Sequence, residues 1–406
     1  MRNVKHCFNR NYLTCSVLIG LTSISGGSSA EDFTSALSGG KTNADFNLRY
    51  ENVTQDNALQ DANALTLRTR LSYTTGNVSG WSAMVEMEDT RIVLGQGDYS
   101  VPQTAYQSGT YSVIADPEHT ELDQGFVQYS SATFSAKIGR QVIAWDGQRH
   151  IGHVGWRQDR QTFDGFSAKY NPIEALTLNY AYLTQRNRIF AEAQDQDSKD
   201  HLLNAAYLTS VGKLTAYGYL LELDNSTDNA LDTYGVSFVG SSMVGDTKIV
   251  YAAEYASQSS ETGVANFDAH YMLLEAGAVL SGITAKLGYE VLGSDNGTYG
   301  FATPLATLHK FNGWADTFLN TPAQGLVDTY ASIAGGAMGG KWLLTYHSFA
   351  ADEASASIDD LGSEIDASYV RAYGANYTVG IKYAAYSGDS GKVDTDKLWA
   401  WVSAKF

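Results

Sequence analysis

The chain has 406 residues, with 27 Lys and Arg against 44 Asp and Glu, a formal net charge of −17. Such an acidic balance argues against a nucleic-acid partner, whose phosphates call for a basic surface. Five prolines, 39 glycines and 26 tyrosines are unusual for a soluble enzyme, and no stretch beyond the first 30 residues holds the ~18 unbroken apolar residues of a membrane helix.

Residues 1–30 have the layout of a secretory signal. Arg2, Lys5 and Arg10 make a positive start, Leu13 to Leu21 form an apolar run, and Ser28-Ser29-Ala30 offers small residues for cleavage. The run is far short of the ~20 residues a spanning helix needs. The mature chain is expected to begin at Glu31, with residues 31–406 as one domain, because no linker or composition break interrupts them. Both cysteines, Cys7 and Cys15, fall within the signal, so the exported chain can form no disulfide. Loss of the signal's three basic residues leaves 24 Lys and Arg against 44 Asp and Glu, a net charge of −20.

Alternation then dominates the chain. A lipid-spanning strand needs ~9–11 residues with apolar side chains at every second position, because one face meets lipid and the other a wet lumen. Leu65, Leu67, Leu71 and Tyr73 share one face, and Thr66, Arg68, Arg70 and Ser72 the other. Ile283, Ala285, Leu287, Tyr289 and Val291 are likewise expected outside, opposed by Thr284, Lys286 and Glu290; Ile249, Tyr251, Ala253 and Tyr255 oppose Lys248 and Glu254. Eighteen such segments begin near residues 44, 63, 80, 121, 133, 163, 175, 201, 213, 231, 246, 267, 282, 326, 340, 367, 379 and 395. The count is even, as single-chain bacterial barrels require.

Short and long links alternate between these segments without exception. Gly76 to Ser79, Ser131-Ala132, Asn171 to Glu174, Val211-Gly212 and Gly336 to Gly339 are short, whereas Leu94 to Thr120, Ile143 to Thr162, Gln185 to Asp200, Gly293 to Gly325 and Ala350 to Asp366 are long. The expected fold is all-β: a transmembrane antiparallel β-barrel of 18 strands in the outer membrane, with short periplasmic turns and long extracellular loops. A soluble sandwich or propeller also alternates, but it buries one face, and here the inner faces carry Arg, Lys and Glu. In the last strand Leu398, Ala400, Val402, Ala404 and Phe406 share a face, while Trp399 and Trp401 fall on lumen parity and leave its facing open. By resemblance to outer-membrane barrels, a terminal aromatic such as Phe406 is the end that the barrel-assembly machinery reads.

The run Gly139-Arg140-Gln141, then Asp146-Gly147-Gln148-Arg149-His150-Ile151-Gly152, Gly155-Trp156-Arg157-Gln158 and Gln161-Thr162-Phe163-Asp164 resembles the alginate export family of outer-membrane porins. A second block, Leu308-His309-Lys310-Phe311-Asn312-Gly313-Trp314-Ala315-Asp316 with Thr321-Pro322-Ala323 and Gly325-Leu326-Val327-Asp328-Thr329-Tyr330, looks like the same family's loop and following strand. The resemblance implies a monomeric 18-stranded barrel whose narrow, arginine-lined lumen passes an anionic polysaccharide such as alginate; general porins in the same family imply smaller solutes as the alternative.

Ten of the 11 arginines after the signal lie between Arg49 and Arg188, leaving only Arg371 beyond. Arg49, Arg68 and Arg70 fall on lumen parity, and Arg140, Arg149, Arg157 and Arg160 lie in or beside a loop long enough to enter the pore. Guanidinium groups stay charged and bind carboxylates through two parallel hydrogen bonds, and rows of charge set selectivity in pores. The competing role for these seven is to brace strands against Glu51, Glu86, Glu88 and Asp123, which about half of them are expected to do, since confined charges seldom stay unpaired.

No cofactor or metal is expected. His150 and His153 sit in a glycine-rich loop without a third ligand, and Asp195, Asp197 and Asp200 lack the Gly and Glu of a calcium loop. Trp81, Trp342 and Tyr346 read as interfacial girdle residues, whereas Trp145, Trp156 and Trp314 in loops are candidates for stacking on sugars. Together these features point to a passive channel for anionic or sugar-like solutes in contact with outer-membrane lipid. An outer-membrane hydrolase would need a nucleophile held by a base and its orienter, and no such constellation is recognisable; an adhesin with a closed lumen is the remaining alternative.

Overall fold

The computed structural model describes residues 30–227 and 229–406, so apart from Ala30 the segment expected to be a signal lies outside the described residues. Eighteen barrel strands follow a short helix, α1 (Ala30–Ser38). They are β1 Lys41–Gln55, β2 Ala62–Thr74, β3 Trp81–Asp98, β4 His119–Ser130, β5 Phe134–Gln141 and β6 Thr162–Ile173. Next come β7 Leu176–Asn187, β8 Gln196–Thr209, β9 Gly212–Glu222, β10 Ala230–Val244, β11 Thr247–Glu261 and β12 Asn266–Leu280. The last six are β13 Ile283–Leu292, β14 Leu326–Ala337, β15 Gly340–Ala350, β16 Asp360–Tyr373, β17 Tyr377–Gly388 and β18 Thr395–Lys405. Each pairs antiparallel with its chain neighbours, and β18 closes on β1 from Asp45↔Lys405 to Gln55↔Thr395. Closure leaves no sheet edge to face lipid.

The strand starts match the sequence expectation except in β8 and β16, which begin at Gln196 and Asp360 rather than near 201 and 367. Both extensions are polar and stand at the extracellular end. There Asp200 is paired with Arg186 and Glu364 and Asp366 are buried inward, so the apolar alternation that marks a lipid-spanning stretch is missing. The alternation of link lengths also fails once, because the periplasmic link 75–80 is as long as the extracellular link 56–61 before it. This turn carries α1: the Gly76 amide donates to the Ala36 carbonyl at 2.8 Å, and the Tyr73 hydroxyl donates to the Leu37 carbonyl. Five of the other periplasmic links have only two residues. At Ser281-Gly282 and Met338-Gly339 both residues take positive φ, 50° and 81° and then 49° and 75°, the geometry of hairpins that follow the twist of their strands.

The two faces separate as expected in β2, where Thr66, Arg68, Arg70 and Ser72 are buried inward and Leu71 is exposed. Ile138, Leu203, Leu274, Leu287 and Ile381 continue the lipid face around the barrel. Val291 departs from it. It is 3 % exposed, flanked across the register by Met272 and Val327, where β13 turns into the 293–325 loop. The facing of β18 is settled by burial: Lys397 and Trp399 point inward, and Ala400 and Val402 outward.

The hydrophobic core lies inside the barrel, where the sequence led us to expect water. Wall residues Phe163, Leu183, Leu202, Tyr271, Phe349 and Trp399 pack against Ile151, Phe301, Leu305 and Phe318 from the loops 142–161 and 293–325. A smaller cluster of Val53, Ala62, Ala64, Tyr99, Val101 and Ile114 seats the 99–118 loop. Register makes a direct test. Leu67→Arg places a charge in hydrocarbon and should destabilise the barrel by about 2–4 kcal/mol near the midplane, seen as less heat-modifiable barrel in the outer membrane; normal assembly would mean that β2 faces the other way.

Candidate functional site in the barrel lumen

Alternation in β1 and β2 turns Arg49, Glu51, Arg68 and Arg70 into the lumen, and three long loops meet them there. The Arg49 guanidinium reaches the Asp116 carboxylate of the 99–118 loop and the Trp156 carbonyl of the 142–161 loop, with Glu51 at 3.6 Å. Arg157 joins three carboxylates: Glu51 at 3.0 Å, Asp316 at 2.9 Å and Asp116 at 3.7 Å. Burial alone would raise the Asp116 carboxyl, but Arg49 and Arg157 beside it hold it below its ordinary value. One guanidinium therefore ties the barrel wall to three loops, because Asp316 belongs to the 293–325 loop.

Asp316 extends this network to β18 and β17, the strands next to β1 around the barrel. It accepts from Lys397 Nζ at 2.9 Å and from His309 Nδ1 at 2.6 Å. Lys382 Nζ lies 2.8 Å from His309 Nε2. An ammonium can only donate, so His309 accepts at Nε2 and carries its proton at Nδ1. Burial pushes this imidazole down to about 3, more than Asp316 can offset, and Lys382 adds to the drop; His309 is neutral at physiological pH. Its ring stacks on Trp156 at 4.9 Å, and Trp156 meets Trp399 and Trp401 edge-on.

The two inserted loops also bond to each other. The Gly152 amide donates to Leu305 at 2.8 Å, the Thr307 amide to Gln148 at 3.1 Å and the Val154 amide to the Thr307 hydroxyl at 3.0 Å. Arg149 crosses to the far wall, where it pairs with Glu290 at 2.8 Å and donates to Asn312 at 3.0 Å.

The remaining arginines of the sequence set are distributed around the wall. Arg160 and Arg70 share Asp123, at 2.6 and 3.4 Å, and also contact Glu86 and Glu88 respectively. Arg140 binds Asp164 through two hydrogen bonds of 2.8 and 3.1 Å, and Arg68 reaches Asp45 at 2.7 Å. All seven therefore have a carboxylate within 4.0 Å, where the sequence suggested about half. Folding brings Arg49 and Arg157 into one cluster and Arg70 and Arg160 into another; Arg68, Arg140 and Arg149 stand apart.

Each of the three tryptophans considered for sugar stacking has a protein group beside its ring. Trp156 stacks on His309, Trp314 has Lys382 Nζ 3.6 Å from its ring centroid, and Trp145 lies 6.3 Å from the ring of Tyr219. His150 and His153 do not converge: the first bonds to Glu254 and Tyr217, the second to Gln148. Sequence reasoning missed Asp116, His309, Asp316, Lys382 and Lys397, whose roles depend on contacts between distant segments.

It also passed over Arg188. This half-buried residue opens the 188–195 loop and lines a cavity of about 400 Å³ at the extracellular end with Thr298, Tyr299, Thr303, Asn320 and Thr321. Its Nη1 donates to Gln161 at 2.5 Å and to the Pro304 carbonyl at 2.8 Å. Among the described residues no carboxylate lies within 4.0 Å of its guanidinium. Burial and the nearby Arg186 push it down to about 10, which leaves it charged at neutral pH.

The Arg157 network predicts how the loops respond to mutation. Arg157→Ala leaves Glu51, Asp116 and Asp316 buried with too few cations, a loss of about 3–5 kcal/mol. Single-channel recordings should show larger, noisier conductance as the loops detach from the wall. An unchanged conductance would show that Arg157 does not hold them.

A family model described as alginate export matches residues 38–293. The sequence block 139–164 lies within that span and the block 308–330 beyond it. No curated protein matches the chain by sequence. Among solved structures, OccK9 (OpdG) of Pseudomonas aeruginosa is similar at TM-score 0.72 and 15% identity, over 91% of this chain and 99% of that one. OccAB4 of Acinetobacter baumannii aligns at TM-score 0.70 and 12% identity, over 90% and 98%. OpdK of Pseudomonas aeruginosa, crystallised with vanillate, aligns at 0.68 and 14%, over 90% and 98%. At such identities the likeness concerns the fold.

Proposed function

The chain belongs to the alginate export family and is an outer-membrane, porin-like channel rather than an enzyme, and from that premise we propose that it conducts small carboxylate-bearing solutes. The class to test first is the uronates, the sugar acids of which alginate is built. Arg188 carries this reading, because it is the lumen-mouth guanidinium with no carboxylate partner among the described residues and it faces a cavity. Among the described residues its Nε and Nη2 make no hydrogen bond, which leaves them available to a solute carboxylate. The hydroxyls of Thr298, Thr303 and Thr321 in the same cavity suit a polyol. The vanillate of OpdK is likewise a small carboxylate.

Solute size follows from the inserted loops. A polymer strand would have to part the 142–161 and 293–325 loops, which are joined by backbone hydrogen bonds and the Trp156–His309 stack. A monomer or short oligomer can pass beside them. In this reading Arg49, Arg68, Arg70, Arg140, Arg149, Arg157 and Arg160 shape the field of the passage while their acid partners hold them, and Arg188 supplies the free donors. The barrel acts as a monomer, exported by a signal cut after Ala30 and assembled through the strand that ends at Phe406; N-terminal sequencing of the extracted protein should begin at Glu31.

Pairing of all seven wall and loop arginines favours a second reading, a general porin of weak selectivity. Flux into proteoliposomes separates the two. The wild type should pass a monomeric uronate faster than the matching neutral hexose, and Arg188→Gln should raise the half-saturating uronate concentration about tenfold, the equivalent of one charge-assisted hydrogen bond. Equal flux of both sugars through the wild type would favour the general porin.

A further inference from the structure

We propose that Glu88, His119 and Asp159 form a site for one first-row divalent cation, which clips the 142–161 loop to the barrel wall. Glu88 stands on β3, His119 opens β4 and Asp159 lies in the loop, and all three are buried. One donor atom from each lies within 4.8 Å of the others. His119 Nε2 is 3.1 Å from Glu88 Oε1 and 4.0 Å from Asp159 Oδ2. Ligands held at ~2.0–2.2 Å from a tetrahedral ion stand about 3.3–3.5 Å apart, so a small inward shift of Asp159 completes a three-ligand face.

Hydrogen bonding around the three residues supports the same assignment. His119 Nδ1 is 3.1 Å from the Pro117 carbonyl, which only accepts, so the ring proton belongs at Nδ1. In the neutral ring Nε2 then turns a lone pair toward a carboxylate oxygen. A histidine that gives one N–H to a backbone carbonyl and offers the other nitrogen to the site is the usual arrangement of a metal ligand.

Glu88 divides its oxygens in the same way, Oε2 toward Arg70 Nε and Oε1 toward His119. Asp159 is 1 % exposed, and its Oδ1 has no hydrogen-bond partner among the described residues. Its Oδ2 accepts from the Ala191 amide at 3.0 Å.

Charge points the same way. Glu121 is Glu88's partner in the β3–β4 register, and among the described residues no Lys or Arg lies within 4.0 Å of its carboxylate. Three carboxylates thus stand around the imidazole, and the guanidinium bonded to Glu88, that of Arg70, also serves Asp123 at 3.4 Å. Buried like charges of this kind call for a counter-cation. One imidazole with carboxylates suits Zn²⁺, Co²⁺ or Mn²⁺ better than Ca²⁺ or Mg²⁺, which favour all-oxygen shells. Local motifs gave no hint of the site because its ligands come from three separate segments.

The test uses the untagged full-length barrel in detergent, stripped with EDTA and titrated with ZnCl₂ by calorimetry. We expect one Zn²⁺ per folded barrel, and binding at least ~100-fold weaker in both His119→Gln and Asp159→Asn, a loss at or beyond the upper end of that for outer-shell partners. Heat-modifiable mobility establishes that each variant is folded, and His150→Gln, altered at the separate His150–Glu254 pair, should bind as the wild type does. A folded wild type that takes up no Zn²⁺ would make His119 an imidazolium held between carboxylates and would overturn the site. So would undiminished binding in both variants, or loss of binding in His150→Gln instead.

Discussion

Closure of the sheet between β1 and β18 is the constraint on which the rest of the molecule depends. In hydrocarbon each unpaired backbone N–H or C=O costs several kcal/mol, and the pairing that runs from Asp45↔Lys405 to Gln55↔Thr395 removes the last free edge. Closure requires an even number of antiparallel strands when both chain ends lie on one side. It also gives every strand a lipid face and a lumen face. Leu67 and Arg68 can then be adjacent in sequence and meet opposite surroundings.

An 18-stranded wall would enclose a wide aqueous passage unless loops entered it. Here they do, and that changes the electrostatics of everything inside. Once the 99–118, 142–161 and 293–325 loops exclude water, an arginine on the wall can no longer rely on solvation and must find an acid. Arg157 finds three, and Asp316 in turn meets Lys397 and the neutral His309. Arg188 lines the cavity at the mouth instead. The distinction between bracing and binding arginines is therefore one of position relative to the loops.

That distinction explains what could be read from the sequence. Strand positions and facing were legible in Leu65 to Tyr73 because alternation is a local signal that the bilayer imposes. The start of β16 was not, since Asp360 to Asp366 extends above hydrocarbon and carries no apolar alternation. Trp399 and Trp401 seemed misplaced on lumen parity only while the lumen was taken as wet; Trp156 and His309 give them an apolar contact there. Glu88, His119 and Asp159 belong to different segments, and no spacing rule joins them. Arg188 resembled the other nine arginines of its half in sequence, and what sets it apart is that no carboxylate among the described residues lies within 4.0 Å of its guanidinium.

Passage of small solutes beside interlocked loops, rather than through their separation, is the central claim, and a reversible tether tests it most directly. Both cysteines, Cys7 and Cys15, lie in the segment proposed to be cut after Ala30, so after that cleavage Gln148→Cys with Thr307→Cys would supply the only thiols. These positions are adjacent across the Thr307 to Gln148 hydrogen bond of 3.1 Å. Uronate conductance should be measured on one channel before and after oxidation. The account predicts that locking the two loops together leaves conductance unchanged; a current that vanishes on oxidation and returns on reduction would show that the loops must part, and would contradict it.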